Sequence, residues 1–175
     1  MVRIIIVGYM GSGKTTFGKA LSDSLGIPFY DLDWYIQTRM HKSISQLFAE
    51  YGEEGFRKIE HNMLHEVAEF ENVIISCGGG TPCFYDNMDY MNQQGDTVYL
   101  RTTAEALHSH LIKARVERPL LTGKSPDEIK EFVRKQLAER EPSYNKAKHI
   151  IDMSPLDTLQ KIKGHVTEFR KALNI

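Results

Sequence analysis

Cysteine is scarce in this 175-residue chain: Cys77 and Cys83 are its only two, too close in sequence to staple distant elements. That excludes a disulfide framework and leaves two reduced thiols as the expectation. Charge excess is missing as well, with 22 Lys+Arg against 23 Asp+Glu, a formal charge of −1 and a pI near 6.7. No overall basic field exists to hold nucleic acid or an anionic membrane nonspecifically, so neither partner is expected. No apolar run approaches membrane-spanning length,. Met1-Val2-Arg3 leads straight into an apolar strand, which leaves no room for a signal peptide, so a cytoplasmic location is expected,. The chain has no internal repeat, low-complexity tract or linker, and its 41% hydrophobic content suits one domain over residues 1–175 with a well-buried core,.

What is present begins at Gly8-Tyr9-Met10-Gly11-Ser12-Gly13-Lys14-Thr15, a complete G-x-x-x-x-G-K-[ST] loop directly after Ile4-Ile5-Ile6-Val7. A strand feeding a glycine loop that opens a helix turns several backbone N–H groups and the positive helix end toward one spot, which suits a polyphosphate. Glycine is required where a Cβ would hold the phosphate off the backbone. Lys14 is placed to reach the β- and γ-phosphates and the Thr15 hydroxyl to ligate Mg²⁺. The loop predicts a nucleoside triphosphate site.

Short apolar, β-branched runs recur at Val2 to Val7, Ile27 to Tyr30, Asn72 to Ser76, Thr97 to Leu100 and His149 to Asp152, each followed by a helical stretch. That alternation predicts a parallel sheet covered by helices on both faces. The first helix should run from Lys14 to Leu25, stopped by Gly26. A second follows Asp33, and a third opens at Ser43 with Gln46 in a capping box. After Gly52 a longer helix carries the stripe Phe56, Ile59, Met63, Leu64 and Val67, and the last helix is expected to open at Ser154-Pro155,. Between helices at Ala104 to Ile112 and Pro126 to Glu139, residues 113–124 are rich in cations and broken by Pro119 and Gly123, the pattern of a mobile lid,.

Asp31 and Asp33 follow the second strand and should emerge at the carboxyl edge of the sheet, where open α/β folds bind ligands. One can serve Mg²⁺ beside Thr15, the other can accept a substrate hydroxyl proton, and Asp33 is also placed to cap the helix that follows. Gly78-Gly79-Gly80 after the third strand leaves backbone N–H groups open to close approach,. Arg57, Arg118 and Arg140 offer planar forks for carboxylate or phosphate. His61 and His65 have metal-ligand spacing on a helix, but Asn62 replaces the glutamate of a zinc hydrolase and the sequence shows no third ligand, so solvated or capping roles fit better,.

In order and spacing, Gly8 to Thr15, Asp31-Leu32-Asp33, Ser43 to Phe48, Gly55 to Glu60, Gly78-Gly79-Gly80, Arg118-Pro119-Leu120-Leu121 and Arg140 to Tyr144 resemble the shikimate kinase family of P-loop folds. The resemblance spans Ile4 to Asp152. It implies a three-layer αβα fold with a five-stranded parallel sheet in order 2-3-1-4-5, a helical substrate-binding region over residues 33–60 and a lid. The implied reaction moves the ATP γ-phosphoryl group to the 3-hydroxyl of shikimate, in chorismate and aromatic amino-acid biosynthesis. It implies that Gly11, Ser12, Gly13, Lys14, Thr15, Thr16 and Arg118 bind the nucleotide, Thr15 and Asp31 hold Mg²⁺, and Lys14, Asp33 and Arg118 are catalytic. Asp33, Arg57, Gly79, Gly80, Arg140, Phe48, Phe56 and Glu60 would bind shikimate, and a monomer is expected. Around the adenine the pattern departs: Leu107-His108-Ser109-His110-Leu111 stands where many relatives carry a stacking arginine, and Met153 to Asp157 has none either.

Two other readings compete. A gluconate-type sugar-acid kinase shares the phosphate loop and an anionic polyol substrate, but the ordered Asp31/Asp33, Phe56-Arg57 and triple-glycine set argues against it. A nucleotide-dependent switch or binding module would not need Lys14, Thr15, Asp31, Asp33 and Arg118 together, and no N-K-x-D run is present to read guanine.

Overall fold

The computed structural model describes residues 1–113, 121–154 and 157–175. Five strands, β1 (Arg3–Val7), β2 (Phe29–Asp31), β3 (Val73–Ser76), β4 (Asp96–Arg101) and β5 (His149–Asp152), form one parallel sheet in the order β2-β3-β1-β4-β5. Central β1 is buried along its whole length, which is why it reads as an unbroken Ile/Val run,. The period-2 alternation is nonetheless kept. Ile4 and Ile6 join Ile74, Val98 and Leu100 on one face, while Ile5 and Val7 join Val73, Ile75 and Tyr99 on the other,.

The first face is covered by α1 (Lys14–Leu25) and α7 (Leu159–Leu173), which contribute Phe17, Leu21, Ile162, Val166 and Phe169. The second carries α2 (Leu32–Met40), α3 (Ile44–Ala68), α4 (Asn87–Gln94), α5 (Ala104–Lys113) and α6 (Pro126–Tyr144). A short 3₁₀ turn, Thr81–Cys83, links the triple glycine to α4. Gly26 ends α1 in the left-handed conformation, and Ser43 with Gln46 forms the expected capping box,. Within α3 the backbone breaks at Gly52 (φ 68°, ψ −178°), and the two halves fold toward each other so that Phe48 and Phe56 stack with centroids 4.3 Å apart. Both cysteines are free. Among the described residues no helix is long and apolar enough to cross a membrane.

Three boundaries differ from the sequence reading. Helix α7 begins at Leu159 under a Thr158 cap rather than at Ser154-Pro155, because Ser154 is held in a turn in which its N–H donates to Asp157 Oδ2 (3.1 Å). Helix α2 starts at Leu32, and its cap is Asp31, whose Oδ1 accepts from the Trp34 N–H (3.2 Å). Asp33 is thereby freed from the capping role. Helix α6 continues past Arg140 and Pro142 to Tyr144, whose ring is fully buried and whose hydroxyl donates to the Gly79 carbonyl at 2.5 Å. The lid expected over residues 113–124 lies mostly outside the described residues, and Arg118 lies wholly outside them.

Candidate active site

The carboxyl ends of β1, β2 and β3 converge on two adjoining cavities of about 430 and 450 Å³ that share Met10, Asp33, Gly78 and Gly79. The first is the phosphate-loop side. Gly11, Gly13, Lys14, Thr15, Thr16 and Asp31 line it. Gly8, Gly11 and Gly13 all take positive φ (148°, 80° and 91°), which an L side chain resists, and this is what turns the loop's N–H groups inward,. Lys14 Nζ donates to the Gly8 and Tyr9 carbonyls (2.8 and 2.9 Å), so the ammonium is held across its own loop at the cavity wall. Ser12 is placed differently from expectation. It is fully buried behind the loop and is not among the lining residues. Its backbone N–H is tied to the Tyr9 carbonyl at 3.2 Å.

The second cavity gathers every residue expected on the acceptor side: Asp33, Phe48, Phe56, Arg57, Glu60, Gly79, Gly80 and Arg140. They arrive from α2, both halves of α3, the loop after β3, and α6. Arg57 is almost completely buried. Its Nη1 donates to Glu60 Oε1 (2.8 Å), and the guanidinium lies 4.2 Å from the Phe84 ring centroid. Glu60 also accepts from the Thr81 hydroxyl through its other oxygen (2.8 Å). A buried arginine bonded through Nη1 to Glu60 and stacked on the Phe84 ring is restrained in one plane,. Arg140 faces it from α6, 5.8 Å over the Tyr9 ring.

The triple glycine has a reason the sequence did not disclose. None of the three takes positive φ. The place of each missing Cβ is instead filled by a site group: Asp33 Oδ1 stands 3.0 Å from it at Gly78, Arg140 Nη1 3.1 Å at Gly79, and Arg57 Nη2 2.5 Å at Gly80. The glycines are room for the two arginines and the aspartate. Gly80→Ala must therefore push the Arg57 guanidinium off Glu60, and its KM for the anionic acceptor is expected to rise about tenfold with the ATP KM little changed. Steady-state kinetics on both substrates check this.

Asp33 stands where the cavities meet and ties their chemistry together. Burial first, then the charges of Asp31 and Glu60, push its carboxyl up from 3.8 to about 6, against the pull of Lys14 and Arg57. A carboxylate with that basicity takes up a proton far more readily than an exposed one.

Sequence reasoning left the adenine side unassigned. The phosphate-loop cavity is also lined by His110, Met153, Ser154, Asp157, Leu159 and Ile162. Among them His110 comes from the stretch of α5 where relatives place arginine, but nothing in its local spacing marks it out. Tyr144 and Thr81, which brace Gly79 and Glu60, were equally silent, since their partners are remote in sequence.

A phosphate-loop cavity that adjoins, at a basic carboxylate, a second cavity lined by two arginines is an arrangement that serves a P-loop kinase acting on a small organic anion,. The shikimate kinase family profile matches residues 10–171. The chain is 51% identical over 174 residues to the shikimate kinase of Phocaeicola vulgatus, covering 99% of each. Its fold matches the crystal structure of shikimate kinase from Bacteroides thetaiotaomicron with a TM-score of 0.96 at 49% identity, over 99% of both chains. It also matches shikimate kinase from Acinetobacter baumannii in complex with shikimate, with a TM-score of 0.86 at 29% identity, over 99% of this chain and 94% of that one. The chain belongs to the shikimate kinase family.

Proposed function

We propose that the chain transfers the γ-phosphoryl group of ATP to the 3-hydroxyl of shikimate, giving shikimate 3-phosphate and ADP, a step of aromatic amino-acid biosynthesis. The observation that carries the reading is the junction of the two cavities at Asp33, with Arg57 and Arg140 walling the acceptor side. Shikimate offers a carboxylate to the arginines and hydroxyls to Asp33 and the Gly79-Gly80 backbone. Phe48 and Phe56 supply an apolar wall for its ring, and Glu60 holds Arg57 in place. The acceptor oxygen attacks the γ-phosphorus while the bond to the β-phosphate oxygen breaks, and the hydroxyl proton passes to Asp33. Lys14 and Arg118 neutralise the charge on the transferring group.

Thr15 and Asp31 offer hard oxygen donors on the same wall of the nucleotide cavity, a donor set suited to Mg²⁺ held directly or through water,. Such an ion neutralises phosphate charge when bound. We take the enzyme to be a cytoplasmic monomer. Light scattering during size-exclusion chromatography is expected to give about the 20.1 kDa of one chain, and a dimer mass contradicts it.

The deciding experiment is coupled ADP release from MgATP with shikimate, with gluconate, or with neither. Strong stimulation by shikimate alone is expected. Stimulation by gluconate, or by neither with ATP still bound, overturns the reading. In the same assay Arg118→Ala is expected to lower turnover far more than it changes the ATP KM, because a cation acting on the transferring group matters chiefly in the transition state. Unchanged turnover removes Arg118 from the mechanism.

A further inference from the structure

His61 and His65 sit four apart on α3, and the fold adds what their sequence context lacked. Asp86, just before α4, comes up to the pair, and one ligand atom from each of the three residues lies within 4.8 Å of the others. All three are outside both active-site cavities.

Four further features single the cluster out. The two imidazoles lie with centroids only 4.3 Å apart, closer than two solvated surface histidines need to be. His61 Nδ1 is 2.6 Å from Asn87 Oδ1, and the buried Asn87 is itself fixed by donating to the Thr81 carbonyl (2.9 Å). An amide oxygen can only accept, so His61 Nδ1 is the donor in this contact and Nε2 is the nitrogen left for a ligand, the orienting arrangement that holds a metal-ligating histidine,. His65 stacks flat on Tyr90, 3.6 Å between centroids, and its Nε2 is shielded from solvent with no hydrogen-bond partner among the described residues. Lastly, Asp86 occupies the N-cap of α4 yet makes no side-chain capping bond, so its exposed carboxylate is not spent on the helix.

We propose that His61, His65 and Asp86 form a binding site for a borderline divalent transition metal of the Zn²⁺ class, with His61 ligating through Nε2. Two imidazole nitrogens and one carboxylate, with the exposed side open to water, are a Zn²⁺ donor set, whereas Mg²⁺ takes oxygen ligands. The ion would bridge α3 to the start of α4, two elements joined in sequence only through β3 and the glycine loop. This site is chemically distinct from the one assigned to Mg²⁺ beside Thr15.

The test is equilibrium dialysis or calorimetry of the full chain with ZnCl₂, with and without excess MgCl₂. One Zn²⁺ per chain is expected, retained against Mg²⁺, with a raised melting midpoint. His61→Ala, His65→Ala and Asp86→Asn should each weaken binding by about tenfold or more, while His41→Asn on the exposed loop after α2 leaves it unchanged. Asp86→Asn alters an exposed side chain without a structural bond, so the test does not hinge on a variant that fails to fold. No stoichiometric Zn²⁺ binding, binding that Mg²⁺ displaces, or binding that survives both His65→Ala and Asp86→Asn overturns the proposal.

Discussion

Asp33→Asn is expected to lose about 10²- to 10⁴-fold in turnover with shikimate while melting at a higher temperature than the parent at pH 8. The two effects have one cause. Burial and the neighbouring acids raise the Asp33 carboxyl from 3.8 to about 6. The folded state therefore prefers the neutral acid, and the charge it carries at neutral pH is a stability cost. A raised pKa means that the group's contribution is fully favourable below its unfolded value and is lost as pH climbs through the folded one. The amide removes that cost, by up to roughly 2–3 kcal/mol at pH 8, which corresponds to several degrees in Tm for a chain of this size. Well below pH 3.8 the gain should vanish, since the position is then neutral in parent and variant, folded and unfolded alike,. In the parent enzyme kcat/KM should rise with an acid limb near pH 6, as the base must be ionised to accept the hydroxyl proton. A variant that is slow but no more stable at pH 8 would separate the catalytic role from the raised basicity; one that keeps full turnover removes Asp33 as the base.

Arg57→Ala is expected to raise the shikimate KM by about 10²- to 10³-fold and to lower stability by roughly 3 kcal/mol, with the ATP KM nearly unchanged. Arg57 is 8% exposed and Glu60 1%, so truncation strands a buried carboxylate whose chief counter-charge has gone. The loss of stability and the loss of affinity can be told apart. In Arg57→Met combined with Glu60→Gln both charges leave together, the Thr81 hydrogen bond is kept, and much of the stability should return while the shikimate KM stays high. Recovery of KM in the double variant would mean that Arg57 acts on the fold and not on the acceptor carboxylate.

Much of this site was legible because its parts are local in sequence. The phosphate loop, the Asp31-Leu32-Asp33 step at the end of β2, and the Ser43/Gln46 capping box are each a few residues long, and backbone stereochemistry alone gives them meaning. The parallel sheet followed from apolar runs separated by helical spacing, and its 2-3-1-4-5 order came with the family resemblance. Where local rules competed, the boundary moved. Asp31 and Asp33 are both able to cap α2, and only the packed structure shows that Asp31 does so. The sequence reading closed this helix at Glu139, but the buried Tyr144 and its bond to Gly79 carry α6 onward.

The sequence by itself determined that this protein binds a nucleoside triphosphate on a parallel α/β sheet and handles an anionic acceptor, because those conclusions rest on residue types at short fixed spacings. Only the tertiary structure decided why three glycines stand together, which residues complete the phosphate-loop cavity, how basic Asp33 is, and that Asp86 meets His61 and His65. Each of these depends on groups from different elements sharing one volume. A space left for a guanidinium, a carboxylate stripped of water beside other acids, or a third ligand for a metal comes into being only when the helices have docked.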